Sequence, residues 1–347
     1  MLDFKKNLEH KDILLFDTLP TEIIYKGNAP AKMVYPNGDK QKSTCIGCQN
    51  PFCIYFDEGE IECKELSDFS SDKNLNVCPV DAIEWDITNG IPKINSNLCL
   101  NCGLCIRRCP VGALYYDGAV KVVREISPYQ KQVEVSKNNI EKQEQQILHL
   151  KSFTRRGNFI IESDQLLSEI YNKLEIMPSN YHNTVVRNIL IGLKASSAMS
   201  RIGDVYTRMD VVYSTKNSDF GVVEVEFGSD TLDALRAILD DIAVLNARYE
   251  IPKELNKAIV VCLKLPNERQ GYWQVVKDIR NVENIEISTM TVGALLILLW
   301  NNKKLEPNNF SYYADYDNME IREVLNKQLD RNNKIQRKHL GILEPIK

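Results

Sequence analysis

Cys99-Leu100-Asn101-Cys102-Gly103-Leu104-Cys105-Ile106-Arg107-Arg108-Cys109-Pro110 carries four cysteines at gaps of two, two and three residues, with a proline behind the last. Two-residue gaps let one tight loop wrap an inorganic cluster and turn backbone N–H groups towards its sulfides. The fourth cysteine cannot reach back round the same loop, so it is expected to serve a second centre. Of the ten cysteines in the chain, nine fall between Cys45 and Cys109, and Cys262 stands apart. With Asp3, Glu9 and Asp12 near its start, the N-terminus does not read as a signal peptide, and a cytoplasmic location is expected. In a reducing compartment such a cysteine cluster reads as metal binding rather than as disulfides.

The other half of the pattern lies upstream. Cys78-Pro79-Val80-Asp81-Ala82-Ile83-Glu84-Trp85-Asp86 repeats as Cys109-Pro110-Val111-Gly112-Ala113-Leu114-Tyr115-Tyr116-Asp117, and Cys45, Cys48 and Cys53 form an imperfect counterpart of Cys99, Cys102 and Cys105. Residues 41–125 thus resemble the bacterial dicluster ferredoxin domain, an α+β fold with two [4Fe–4S] clusters in two pseudo-symmetric halves. The resemblance implies that Cys99, Cys102, Cys105 and Cys78 hold one cluster, and that Cys45, Cys48, Cys53 and Cys109 hold the other. Two departures are local to the first triplet: four residues separate Cys48 from Cys53, and 24 separate Cys53 from Cys78. Cys63 lies inside that insertion, leaving open whether it replaces Cys53 as third ligand or stands free, and a [3Fe–4S] form stays open for that cluster. A pair of structural zinc sites is the alternative, which two linked triplets and two Cys-Pro pairs fit poorly.

At 347 residues the chain has room for more than one domain, and its 44% hydrophobic and 26% charged residues are ordinary for a globular protein. The net charge of −4 advertises no global affinity for nucleic acid or anionic lipid. No apolar run approaches the roughly 20 residues that span a bilayer; Val292–Trp300 reads as a buried helix. Residues 1–40 read as an N-terminal extension lying on the cluster domain, and 126–155 as a polar helical linker. From 156 the pattern alternates. Helices are expected over Gln165–Met177, Asn183–Ala198, a longer stretch after Asp230 and Tyr272–Asn281. Strands are expected over Tyr206–Ser214, Phe220–Phe227, Ala258–Leu265 and Ile285–Thr289. Residues 306–347 read as a helical tail with basic residues on Arg322–Lys338. The four histidines are too scattered for a dyad, and no Gly-rich phosphate loop appears.

A second signal is the hairpin. A turn centred on Asn217 places Asp210 opposite Glu224 and Arg208 opposite Glu226. Strand alternation then gives Val211, Tyr213, Val223, Val225 and Phe227 one face, and Asp210, Glu224 and Glu226 the other. Opposed like charges destabilise a sheet, so three carboxylates on one face ask for a cation, either Arg208 or a hard divalent metal.

An Asp on one strand, Glu-x-Glu on the next, then a helix and a buried strand resembles the PD-(D/E)xK (restriction endonuclease-like) nuclease superfamily. The resemblance covers about 156–305 and implies an α/β domain with a central mixed sheet. It makes Asp210 and Glu224 ligands of Mg²⁺ or Mn²⁺, with Glu226 in the position usually held by Lys, a departure, and Met209 where Pro is usual, another. Asp204, Arg201 and Arg208 flank the site, and Arg236 is a candidate for a displaced cation. The expected activity is metal-dependent hydrolysis of a DNA phosphodiester, in restriction or phage defence, by a protein that pairs as a homodimer. Two other readings stay open: an electron-transfer or redox-sensing subunit with a redox partner protein, and a DNA-binding scaffold with an inactive nuclease-like domain.

Overall fold

The computed structural model describes residues 52–86, 91–108, 163–201, 203, 209–229, 231–301, 303–309, 312–328 and 340–347, and six short strands outside these. Cys45, Cys48, Cys109, Asp204 and Arg208 lie outside the described residues. The chain divides into two compact units, each discontinuous in sequence. The first comprises Met1–Asp57, Leu75–Ile170 and Trp300–Asn302, the second Glu58–Asn74, Tyr171–Leu299 and Lys303–Lys347.

In the first unit, β1 (Ile13–Leu15), β2 (Ile23–Tyr25) and β3 (Ala31–Met33) come from the N-terminal extension. They pair antiparallel with β8 (Lys131–Val133), β7 (Val120–Val122) and β6 (Leu114–Tyr116). The extension therefore contributes backbone pairing, and Lys131–Val133, in a stretch read as helical linker, is strand. Between them β4 (Ile83–Asp86) and β5 (Ile91–Ile94) form a hairpin with Ile83 opposite Ile94. It is followed by the short helix α1 (Leu104–Arg108). The long insertion is closed at its base: Phe56 N–H donates to the Leu75 carbonyl and Val77 N–H to the Ile54 carbonyl, each at 2.7 Å. Cys53 and Cys78 therefore leave from one paired stem, however many residues the loop between them contains.

The second unit is built on a five-stranded mixed sheet in the order β13-β12-β11-β10-β9. Its strands are β9 (Ser196–Met199), β10 (Val211–Ser214), β11 (Phe220–Glu226), β12 (Ala258–Cys262) and β13 (Ile287–Thr291). β9, β10 and β11 run antiparallel; β11, β12 and β13 run parallel. Helix α2 (Ser163–Leu174) begins in the first unit and ends in the second; α3 (His182–Gly192), α4 (Thr231–Tyr249), α5 (Gly271–Glu283), α6 (Val292–Trp300) and α7 (Arg322–Gln328) follow. All five residues of β12 are buried, as expected of a central parallel strand covered on both faces. The apolar α6 is buried on the same principle, apolar on every side.

Three expectations change. The helix after Asn183 stops at Gly192 and does not run on to Ala198: Lys194 turns left-handed (φ 74°), and Ser196–Met199 become the edge strand β9. The strand expected over Ile285–Thr289 sits two residues later. The hairpin is not apolar on one side only, because Val212, Ser214, Phe220 and Val222, on the carboxylate face, are buried as well. The register is the expected one, with Val211 opposite Val223 and Ser214 opposite Phe220. At the turn, Ser218 adopts φ 64°, and the Thr215 hydroxyl donates to the Asp219 carboxylate at 3.1 Å. Gly221 is required by close approach: a Cβ there would lie 2.1 Å from the Lys257 carbonyl oxygen.

Both edges of this sheet are occupied. On the β9 side Ser71 bridges Ser200, Asp72 N–H donates to the Met199 carbonyl and Arg201 N–H to the Ser70 carbonyl, so the insertion extends the sheet. On the β13 side Thr289 and Ala314 exchange two backbone bonds, at 3.0 and 2.8 Å. The C-terminal tail packs here too, burying Ile342 and Leu343.

Candidate functional site

Two groups of side chains carry chemistry, one in each unit. In the first, the β4–β5 hairpin brings the Cys78 segment against the loop of Cys99. Asn95 N–H donates to the Ala82 carbonyl at 2.7 Å and Cys99 N–H to the Asn95 carbonyl at 3.0 Å. The backbone turns left-handed at Asp81 (φ 51°), Asn101 (φ 62°) and Gly103 (φ 79°), which folds the cysteine loop inward. Cys78, Cys99, Cys102 and Cys105 then line one cavity, with Pro79, Leu100, Gly103 and Leu104 as walls. The Ala82 N–H points at the Cys78 sulfur at 3.1 Å. Further N–H groups reach Cys78 from Val80 and Ile83, Cys102 from Leu104, and Cys105 from Ile106. Burial drives the thiols of Cys78, Cys102 and Cys105 above their ordinary range, and mutual repulsion adds to it, while these N–H groups pull the other way. Thiolates gathered in this way need a cationic partner. A cavity ringed by four sulfurs and pointed N–H groups suits an iron–sulfur core. At its edge the Trp300 indole N–H donates to the Cys102 carbonyl at 2.9 Å.

Cys53 is buried but does not line that cavity. Arg108, the residue before Cys109, donates from Nε to the carbonyl of Phe52, the residue before Cys53, at 2.8 Å. Its guanidinium lies 4.5 Å from the Phe56 ring centroid. The residue before Cys53 is thereby tied to the end of α1, a link the cysteine spacing does not reveal. Cys63 belongs to the second unit. Its thiol donates to Glu65 at 3.2 Å. Burial first, then Glu65, pushes it up to about 12, against a hydrogen bond from Ser214. Cys63 is not among the residues that line the thiol cavity. Cys262, fully buried in β12, is a core residue.

In the second unit the strand register, continued by one residue, sets Asp210 opposite Glu224. Asp210 is fixed by two donors: the Asn183 amide from α3 at 2.7 Å and the Val225 N–H at 2.9 Å. Glu226 accepts the Gly228 N–H at 2.6 Å. Behind them stands a carboxylate the strand pattern does not find, Asp241 on α4, 5% exposed, whose Oδ2 has no hydrogen-bond partner. Burial first, then Asp210, Asp241 and Glu226, pushes Glu224 up to about 9. Burial and then Asp210 and Asp240 push Asp241 up to about 7. Burial raises Asp210 too, against the bonds from Val225 and Asn183; Glu226 adds to the rise and His182 opposes it. His182 stacks on Phe227, ring centroids 4.5 Å apart.

Among the described residues no three His, Cys, Asp or Glu side chains surround one point as ligands of a single ion would. The observation that favours a cation beside the carboxylates is the orphaned, buried Asp241 oxygen, in a set of hard oxygen donors. Of the flanking cations, Arg201 and Arg236 are described, and neither pairs with the carboxylates. Arg236 pairs with Asp233 at 3.0 Å on the exposed side of α4, and Arg201 is an exposed residue bound through its backbone to the insertion.

Comparison with known proteins bears on the first unit. Residues 75–113 match the 4Fe–4S dicluster domain family. A 44-residue stretch is 41% identical to an uncharacterized ferredoxin of Methanocaldococcus jannaschii, covering 13% of this chain and 28% of that protein. The chain thus spans little more than a quarter of that relative. No solved structure gives a significant match. No described helix is long and apolar enough to cross a membrane. Family match and thiol cavity coincide on Cys78, Cys99, Cys102 and Cys105, and the chain contains a ferredoxin-type 4Fe–4S domain.

Proposed function

We propose that this protein is an iron–sulfur-containing, metal-dependent nuclease that hydrolyses DNA phosphodiesters. The observation that carries the reading is the facing pair Asp210 and Glu224, backed by the buried Asp241 on the following helix. Repulsion within this group is uncompensated by any neighbouring ion pair among the described residues. The order of elements supports it: an antiparallel hairpin, a helix, then a strand parallel to the second hairpin strand, as in the PD-(D/E)xK superfamily. Mg²⁺ or Mn²⁺ held at Asp210 and Glu224 would polarise a phosphodiester oxygen and acidify a water. Asn183 and the Val225 N–H fix the orientation of Asp210. Glu226, in the position usually held by Lys, takes the proton of the attacking water. Its Gly228 hydrogen bond keeps the side chain on that side of the strand end. In the first unit Cys99, Cys102, Cys105 and Cys78 hold one [4Fe–4S] cluster, and Cys45, Cys48, Cys53 and Cys109 hold the other. The Arg108–Phe52 link favours Cys53 over Cys63 as third ligand of the latter.

The test is cleavage of supercoiled, linear and single-stranded DNA by anaerobically purified protein in Mg²⁺, Mn²⁺ and EDTA. Metal-dependent cutting that Glu224→Ala abolishes is the expected outcome. Salt-sensitive DNA binding without cutting would replace the reading by a scaffold. Neither binding nor cutting would leave a redox subunit, the reading that the ferredoxin-type domain alone favours.

A further inference from the structure

The apolar helix α6 ends on a polar contact. Val292–Trp300 contains one polar side-chain atom, the indole N–H of Trp300, and that residue is fully buried. A buried indole N–H normally finds an acceptor. This one meets the Cys102 carbonyl at 2.9 Å, across 198 residues of sequence. Trp300–Asn302 group with the first unit although the rest of α6 groups with the second, so the contact is internal to the first unit. The acceptor is equally specific. Cys102 stands between two left-handed residues, Asn101 (φ 62°) and Gly103 (φ 79°). Helix α1 begins only at Leu104, and its first turn engages the Gly103 carbonyl through the Arg107 N–H at 2.9 Å. The Cys102 carbonyl, one residue earlier, is met by Trp300. A backbone carbonyl taken out of water needs such a partner, so the indole holds the peptide at the middle of the Cys99–Cys105 loop. The thiol of the same residue lines the cavity and receives the Leu104 N–H.

We propose that Trp300 is a positioning residue for the iron–sulfur site of Cys78, Cys99, Cys102 and Cys105. Its N–H fixes the Cys102 peptide, which keeps the loop sulfurs in ligating geometry and aims the positive end of an N–H dipole at the loop. Such a clamp slows the loss of iron, as partners behind metal ligands do. It also favours the reduced cluster, which carries one more negative charge. The matching family segment ends at residue 113, so this donor comes from outside it. The proposal rests on the four-thiol ligand set and not on DNA cleavage.

Full-length, anaerobically purified Trp300→Phe, which keeps an aromatic ring and loses the N–H, tests this. Trp273→Phe is the matched control, because its indole is 1% exposed and donates to the Pro266 carbonyl at 3.1 Å within the second unit. Cys102→Ser identifies the EPR signal of the cluster in the cavity. In Trp300→Phe that signal should titrate at a lower potential than in wild type, and its iron should pass to a chelator at least about tenfold faster. The other cluster, and both clusters of Trp273→Phe, should behave as in wild type. Trp300→His, which keeps a ring N–H, should recover part of the difference. An unchanged potential and release rate for that cluster in Trp300→Phe would overturn the proposal alone. Equal changes in both clusters, or loss of both from the Phe and His variants alike, would also overturn it, since the effect is confined to one site. A Cys102→Ser protein with both signals intact would overturn the ligand set, and the proposal with it.

Discussion

The Cys63 thiol donates to the Glu65 carboxylate at 3.2 Å. With its acidity pushed up to about 12, Cys63 remains protonated near neutrality. Because the folded value is raised, its contribution to stability is present below the ordinary thiol value and is lost as pH climbs towards 12. At pH 8 its thiolate fraction is about 10⁻⁴. Iodoacetamide should therefore label Cys63 in the folded protein about a thousandfold more slowly than a free thiol, measured by peptide mass spectrometry. Cys63→Ser should retain all its iron and Cys78→Ser should lose part of it; equal iron loss in both would return Cys63 to the ligand set. The sequence left Cys63 open because its place depends on where the insertion packs, which no local spacing encodes. Asp241 was hidden for a related reason. It was not singled out in the sequence, although the spacing from Ile238 to Ile242 and Leu245 sets position 241 on the buried side.

Among the elements, the β10–β11 hairpin was the most legible. Alternation of side chains and a polar turn symmetric about Asn217 fix the register, and with it the pairing of Asp210 with Glu224. Less legible was β9, where Ala195-Ser196-Ser197-Ala198 consists of small residues that fit a helix as well as a strand. The left-handed turn at Lys194 and the pairing with β10 decide it. Gly221 tests how firmly the hairpin is seated. Since a Cβ would meet the Lys257 carbonyl oxygen at 2.1 Å, Gly221→Ala must shift β11 or the chain at 257. It should cost about 1–3 kcal/mol, read from denaturant unfolding of the second unit. A substitution with no effect on the midpoint would mean that the approach of 221 to 257 is looser than described.

Across the whole molecule, the insertion between Cys53 and Cys78 begins and ends in the first unit and runs through the second. Cysteine arithmetic could show only its length. Its paired stem at 54–56 and 75–77 belongs to the first unit, and its Ser70–Asp72 segment covers the β9 edge in the second. Replacing 58–74 with a short Gly-Ser linker should therefore spare the clusters and expose that edge. Iron per chain should stay at the wild-type level, while size-exclusion chromatography shows added self-association. Loss of iron would mean that the insertion, and not its stem, positions Cys53 and Cys78. The proposed nuclease reading rests, in the sequence, on a hairpin with a matching order of elements, because a carboxylate site is assembled from residues far apart in the chain. The most direct measurement is the rate of DNA cleavage in Mg²⁺ by anaerobic wild type and Glu224→Gln prepared with equal iron and sulfide content. Cleavage by wild type alone, abolished by EDTA, is the predicted result. Equal cleavage by both proteins, or none by either on any DNA, would contradict the assignment of phosphodiester hydrolysis to the Asp210–Glu224 pair.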